Sequence, residues 1–205
     1  DLHTHTTASD GTDKPFEMLE NARKAGLTMV AMTDHDTTAG WREVRAQRNQ
    51  IPAGLTIIPG AEVSTRTELG MSVHIVGLLF DADNAQLAKL LADTRDDRIP
   101  RMEKMVEKLQ AAGYQVSMQD VEDVKPIGAT LGRPHLADAL VRNGVIASRD
   151  EAFQELLHNE SRFYVTHAAP TPVEAIRAIR SAGGVAVIAH PFASRRGQIL
   201  GTKDF

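Results

Sequence analysis

The sequence predicts a parallel α/β architecture, either a barrel or a doubly wound sheet, interrupted by a helical insertion. Three observations lead there. Along residues 1–80, short apolar runs ending in polar residues alternate with amphipathic stretches of helical period. The alternation returns after about residue 165, where "TPVEAIRAIRSAGG" precedes "VAVIAHP". Between them, from Phe80 to about Tyr164, every periodic segment reads as helix.

Taken in order, "DLHTH" is the end of a strand, and His3 and His5 project from one face because strand side chains repeat every second residue. "KPFEMLENARKAG" is a helix with Phe16, Leu19 and Ala22 on one side, Pro15 in its first turn and Gly26 as its C-cap. "LTMVAMTDHD" is a buried strand with a polar end, and "TTAGWREVRAQRNQ" is a helix. "LTIIPGAEVST" and "MSVHIVGLLF" are further strands. The insertion comprises "NAQLAKLLADTRDDRIPRMEKMVEKLQAAG", "SMQDVEDV", "RPHLADALVRNG" and "SRDEAFQELL". Its charge-rich stretch from Asp93 to Lys108 reads as a solvated helix face. The expected division is therefore 1–80, a helical cap over 81–164, and a return to the first domain over 165–205.

Composition narrows the function classes. The 205 residues are 42% hydrophobic and 24% charged, the profile of a globular protein, and no apolar run reaches membrane-helix length. The start is not signal-like. There is no cysteine, which excludes disulfides, thiolate metal sites and cysteine nucleophiles, and fits a cytoplasmic setting. A net charge of −4 without a block of like charges offers no extended nucleic-acid surface.

The chemistry lies in the placement of the polar residues. His3, His5, His35, Glu62, His74 and His190 fall in or at the ends of predicted strands, with Asp10 just after the first. In parallel α/β folds the strand ends and following loops form the site. His74 alone reads as a core or edge histidine, and Asp34 and Asp36 as turn or cap residues. Glu62, inside an apolar run, is costly to bury without a partner. Together these seven candidates describe a cluster, and imidazole plus carboxylate suits zinc, manganese or iron(II) rather than calcium alone. Seven exceed what one tetrahedral ion uses, so two or three divalent ions are expected, with Glu62 placed to bridge a pair. Such clusters are typical of phosphoesterases and some amidohydrolases. On a phosphoester the expected chemistry is in-line attack on phosphorus by a hydroxide held between ions, with Asp34 and Asp36 orienting imidazoles by accepting their second N–H.

"DLHTHTTASDG", "TDHDTTAGW", "PGAEVST", "HIVGLLF" and "VIAHP", in this order, resemble the polymerase and histidinol phosphatase (PHP) superfamily, and within it the bacterial phosphoesterases that act on nucleotides. "GRPHLADAL" and "FYVTHAAPTPVEAI" resemble that branch's helical insertion and its return. The resemblance implies a distorted seven-stranded (β/α) barrel with a trinuclear site. It implies His3, His5 and Glu62 on a first ion, Glu62, His74 and His190 on a second, and Asp10 and His35 on a third. It also implies a late Asp-x-His pair, which the chain does not contain before Phe205; Thr202 and Asp204 read as the start of a further helix, so the chain is expected to lack the last barrel units.

Phosphate needs partners beyond metals, and arginine suits bidentate contacts. Arg133 and His135 in "GRPH" are the first candidates, with Pro134 marking a helix start that itself favours anions. Ser194, Arg195 and Arg196 come next, and Tyr164 and His167 are placed to close over a base or sugar. The expected substrate is a small phosphorylated molecule, a nucleotide or short oligonucleotide, with a 3′,5′-bisphosphate nucleotide the sharpest expectation. Two alternatives stay open: a histidinol-phosphate phosphatase or amidohydrolase on the same metal barrel, and a degenerate nucleotide-binding module.

Overall fold

The computed structural model describes residues 1–166 and 168–191. It is a mixed α/β fold whose chain divides into two compact units. The first comprises Asp1–Arg95, Gly128–Thr130 and Ala169–Ala189; the described residues of the second fall within Asp96–Ile127 and Leu131–Ala168, with His190 and Pro191. Among the described residues no helix is long and apolar enough to cross a membrane.

The first unit is built on an open four-stranded sheet in the order β1 (Met29–Met32), β2 (Thr56–Arg66), β3 (Ser72–Leu78), β4 (Val185–Ala189). The opening stretch lies beside β1, with a parallel bridge from Thr4 to Met32, and Ala31 N–H donates to Asp1 C=O at 2.8 Å. β1 and β2 are parallel, as expected. β2 and β3 are not: they form an antiparallel hairpin, and β4 is antiparallel to β3. The expectation of a uniformly parallel sheet fails here for a simple reason. Only residues 67–71 separate β2 from β3, and a parallel connection needs a crossover of a dozen or more residues.

Helix α1 (Pro15–Lys24) buries Met18, Leu19 and Ala22, and Lys14 N–H is capped by the Glu17 carboxylate at 2.9 Å. Helix α2 (Ala39–Ala46) buries Gly40, Trp41 and Val44, and a 3-10 turn follows at Arg48–Gln50. Helix α3 is Ala85–Asp96. The last helix of this unit, α8 (Pro172–Ser181), follows four all-helical elements of the second unit and packs on β3, where a Cβ on Gly77 would lie 3.0 Å from Ile179.

The second unit holds α4 (Arg98–Ala111), α5 (Met118–Val124), α6 (Arg133–Arg142) and α7 (Arg149–Glu155). Met102, Met105, Leu109, Leu136, Leu140 and Leu157 form the centre of its apolar core. Ser117 opens α5 with a reciprocal cap to Asp120, and Asp138 on α6 holds the Arg149 guanidinium. The charge-rich stretch is less solvated than its composition suggests. Arg98 and Arg101 are each 7% exposed, donating to Leu131 C=O at 2.9 Å and Val165 C=O at 2.8 Å. An arginine can bury its aliphatic stem while its head stays hydrogen-bonded, and here both heads meet backbone carbonyls. Leu109 is fully buried. Leu109→Ala is expected to lower stability by about 2–5 kcal/mol, read as a shifted urea midpoint.

Candidate metal centre

The polar ends of the first-unit strands converge on one carboxylate. Glu62 lies in the middle of β2 and is 1% exposed. The segment after β1 continues alongside it, with a parallel bridge between His35 and Glu62, and Asp36 N–H donates to Glu62 C=O at 3.0 Å. Asp36 achieves this with φ at 52°, a left-handed conformation that aspartate tolerates better than most residues. Its carboxylate accepts Ser64 N–H at 2.8 Å. His74 is the third residue of β3, at the beginning of its strand rather than the end. Because β3 is antiparallel, that beginning meets the carboxyl half of β2, with His74 in register with Ser64.

The side chains then close on one another. Glu62 Oε2 lies 2.8 Å from His3 Nε2, 3.0 Å from His5 Nε2 and 3.4 Å from His35 Nδ1. Its other oxygen, Oε1, lies 2.7 Å from His74 Nδ1. Asp10 faces His5 Nδ1 at 3.5 Å and His35 Nε2 at 3.6 Å. The rings follow in series, with centroids 5.1 Å apart for His3–His5, 4.7 Å for His5–His35 and 5.1 Å for His35–His74. Three sets offer ligand atoms within 4.8 Å of one another: His3–His5–Glu62, His5–Asp10–His35 and His35–Glu62–His74. This donor set fits divalent transition metals. It holds only imidazole nitrogen and carboxylate oxygen, and it surrounds a buried carboxylate shared between two sets.

Burial works to lower the His5 pKa, but the hydrogen bond to Glu62, then the charges of Asp10, Glu62 and Asp34, outweigh it and raise the value above 6.5. In the metal-free protein this contribution to stability is fully present below 6.5 and is lost as pH rises through the raised value. Chelated protein should therefore lose thermal stability as pH rises above 6.5 and through the raised value, less so in His5→Gln; a melting temperature that climbs over the same rise in pH contradicts the assignment.

Asp34 does a different job from the one expected. Rather than accepting an imidazole N–H, its 2% exposed carboxylate accepts Thr6 N–H at 2.7 Å, the Thr6 hydroxyl at 2.9 Å and the Ser9 hydroxyl at 2.8 Å. It fastens the turn that links His5 to Asp10. Gly40 leaves room for it, since a Cβ there would lie 2.6 Å from Asp34 Oδ2. Thr6 and Ser9, both fully buried, are the residues that sequence reasoning missed. Hydroxyls in a polar loop carry no pattern that marks them as buried.

In the second unit, Arg133 Nη1 donates to Leu157 C=O at 2.6 Å and Asn159 Oδ1 at 2.9 Å. Its guanidinium lies 5.2 Å from the Tyr164 ring centroid and 5.5 Å from that of Phe153, and Arg101 also lies 5.2 Å from Tyr164. His135 is 2% exposed and its Nδ1 accepts Gly132 N–H at 3.1 Å, capping the start of its own helix. His190 directly follows β4, whose last residue, Ala189, is in register with His74. His167, Ser194, Arg195, Arg196, Thr202 and Asp204 lie outside the described residues.

Comparison with known proteins is consistent across sequence and structure. A family model described as "PHP domain" matches residues 1–120. A 5′-3′ exoribonuclease of Haemophilus influenzae is 36% identical over 192 residues, spanning 93% of this chain and 68% of that protein. A 3′,5′-nucleoside bisphosphate phosphatase of Chromobacterium violaceum is 34% identical over 191 residues, spanning 93% of this chain and 66% of that protein. A crystal structure assigned as a metal-dependent phosphoesterase of Bifidobacterium adolescentis superposes with a TM-score of 0.91 at 37% identity, covering 100% of this chain and 71% of the other. The chain thus spans about two thirds of the length of its curated relatives.

Proposed function

Because this chain belongs to the PHP domain family, we propose that it is a metal-dependent phosphoesterase releasing phosphate from small nucleotides, with a 3′,5′-bisphosphate nucleotide as substrate. The observation that carries this reading is the meeting of four imidazoles on the Glu62 carboxylate. His3, His5 and Glu62 would hold one ion, His35, Glu62 and His74 a second, and Asp10 with His5 and His35 a third. Manganese, iron(II) or zinc bound there would polarise phosphoryl oxygens and make water acidic enough to supply hydroxide near neutral pH. Glu62, shared by two sets, fixes their spacing; Asp10 and His5 are held by the turn that Asp34 fastens. We assign His190 to the same centre on the strength of the sequence pattern, and Arg133 with Tyr164 to recognition of the nucleotide.

We further read the open sheet as part of a distorted seven-stranded barrel, with the helices of 81–164 as an inserted cap. The opening stretch, β1 and β2 run parallel, and β4 runs with β2. The face carrying Glu62 and His74 also carries Val187 and Val185, which are 47% and 56% exposed. An apolar sheet face of this kind is normally covered.

A phosphate-release screen with added manganese tests the substrate assignment. Turnover should be fastest on adenosine 3′,5′-bisphosphate and slower on a generic aryl phosphate and on histidinol phosphate, with Arg133→Ala raising KM for the bisphosphate far more than for the aryl ester. Preference for a 5′-phosphorylated oligonucleotide would favour 5′-3′ exoribonuclease action, the activity named for the H. influenzae relative. Release from histidinol phosphate alone would overturn the nucleotide reading.

A further inference from the structure

Away from the histidine cluster, the first unit contains a cavity of about 360 Å³ that the proposed reaction does not use. Its walls are Trp41 and Val44 from α2, Ile51 after the 3-10 turn, Ile57 and Pro59 from β2, and Phe80. Trp41 is 6% exposed and its indole N–H donates to Gly60 C=O at 2.9 Å, so what it offers the cavity is the apolar part of the ring. The Phe80 ring stands edge-on to it, with centroids 6.5 Å apart at 70°. This is the low end of the size range of small-molecule sites, with room for one ring system.

The rim is charged, and unevenly so. Arg42 and Arg45 lie three residues apart on α2, and Arg48 opens the 3-10 turn that follows it. Arg42 is committed: it pairs with Asp83 at 2.7 Å and donates to Ala82 C=O at 3.1 Å. Arg45 and Arg48 line the cavity and are exposed, and neither forms an ion pair or side-chain hydrogen bond among the described residues. The one carboxylate on the lining, Asp81, accepts Asp83 N–H at 2.9 Å. Two uncommitted guanidiniums beside an aromatic slot complement an anion carried on a flat apolar body.

We propose that this cavity is a second ligand site, separate from the histidine cluster, and that it binds a nucleoside 5′-monophosphate with the base against Trp41 and Phe80 and the phosphate on Arg45 and Arg48. Trp41 is the sole tryptophan of the chain, so its emission reports on this cavity directly. Adenosine 5′-monophosphate titrated into the protein should change Trp41 fluorescence saturably, and adenosine should bind at least about tenfold more weakly. The double variant Arg45→Ala/Arg48→Ala changes two exposed side chains outside the metal centre and should keep wild-type turnover while losing the fluorescence response. No saturable change with the monophosphate would overturn the proposal. So would adenosine binding as tightly as the monophosphate, or an unaltered titration in the double variant.

Discussion

Glu62→Gln is expected to cut phosphate release by more than about a hundredfold while leaving the fold intact. Even partners outside a metal's immediate ligands cost roughly 10–100-fold in affinity when replaced, and Glu62 belongs to two of the three donor sets. Glutamine keeps the shape of the side chain but removes the negative charge and one of the two oxygens that His3 and His74 approach at 2.8 and 2.7 Å. A divalent ion between neutral ligands loses most of its electrostatic hold. Turnover measured with saturating manganese, beside a far-ultraviolet circular dichroism spectrum, checks both halves. A variant that folds and keeps wild-type turnover would remove Glu62 from the centre.

The second large effect belongs to Asp34. Asp34→Ala strips three acceptor contacts from Thr6 and Ser9 at once, all at buried positions. Leaving such donors unsatisfied costs about 1–3 kcal/mol each, and the turn that carries Asp10 loses its anchor. Metal affinity should fall about 10–100-fold, with Asp34→Asn intermediate because it keeps one acceptor oxygen. Calorimetric metal titration separates this from a direct catalytic role. If Asp34 carried a proton in the reaction, Asp34→Asn would bind metal normally and shift only the pH profile.

How much of this was legible in sequence depends on what kind of pattern each feature leaves. The histidine pair at His3 and His5 was legible because alternation in an extended chain is a local rule, and the two Nε2 atoms do approach to 3.1 Å. Glu62 was legible because a lone carboxylate in an apolar strand demands an explanation. The antiparallel course of β3 followed from the shortness of 67–71, but the reading of strand–helix alternation passed over it, and with it the placement of His74 at a strand's beginning. Likewise His35 joins Glu62 and His74 as well as Asp10, a doubling that only the bridge between the β1 extension and β2 makes visible.

What escaped were features whose cause is tertiary. Asp34 and Asp36 share the motif "TDHD", yet one fastens the loop of Thr6 and Ser9 and the other the backbone of Ser64. Nothing in four residues distinguishes those tasks, which are set by the strand each side chain happens to face. Arg98 and Arg101 belong to a run that looks solvated by composition, but carbonyls of Leu131 and Val165 draw their heads inward. Arg133 was marked for phosphate by residue type, and the structure adds a tie to Leu157 and Asn159 that positions its guanidinium beside Tyr164.

Direct measurement of metal stoichiometry tests the central claim most plainly. Wild-type protein stripped with chelator, titrated calorimetrically with manganese and checked by elemental analysis, should take up at least about two ions per chain, and Glu62→Gln should retain fewer. Wild-type protein that binds less than one ion, or a Glu62→Gln variant that binds as many as wild type, would contradict a metal centre built around this carboxylate.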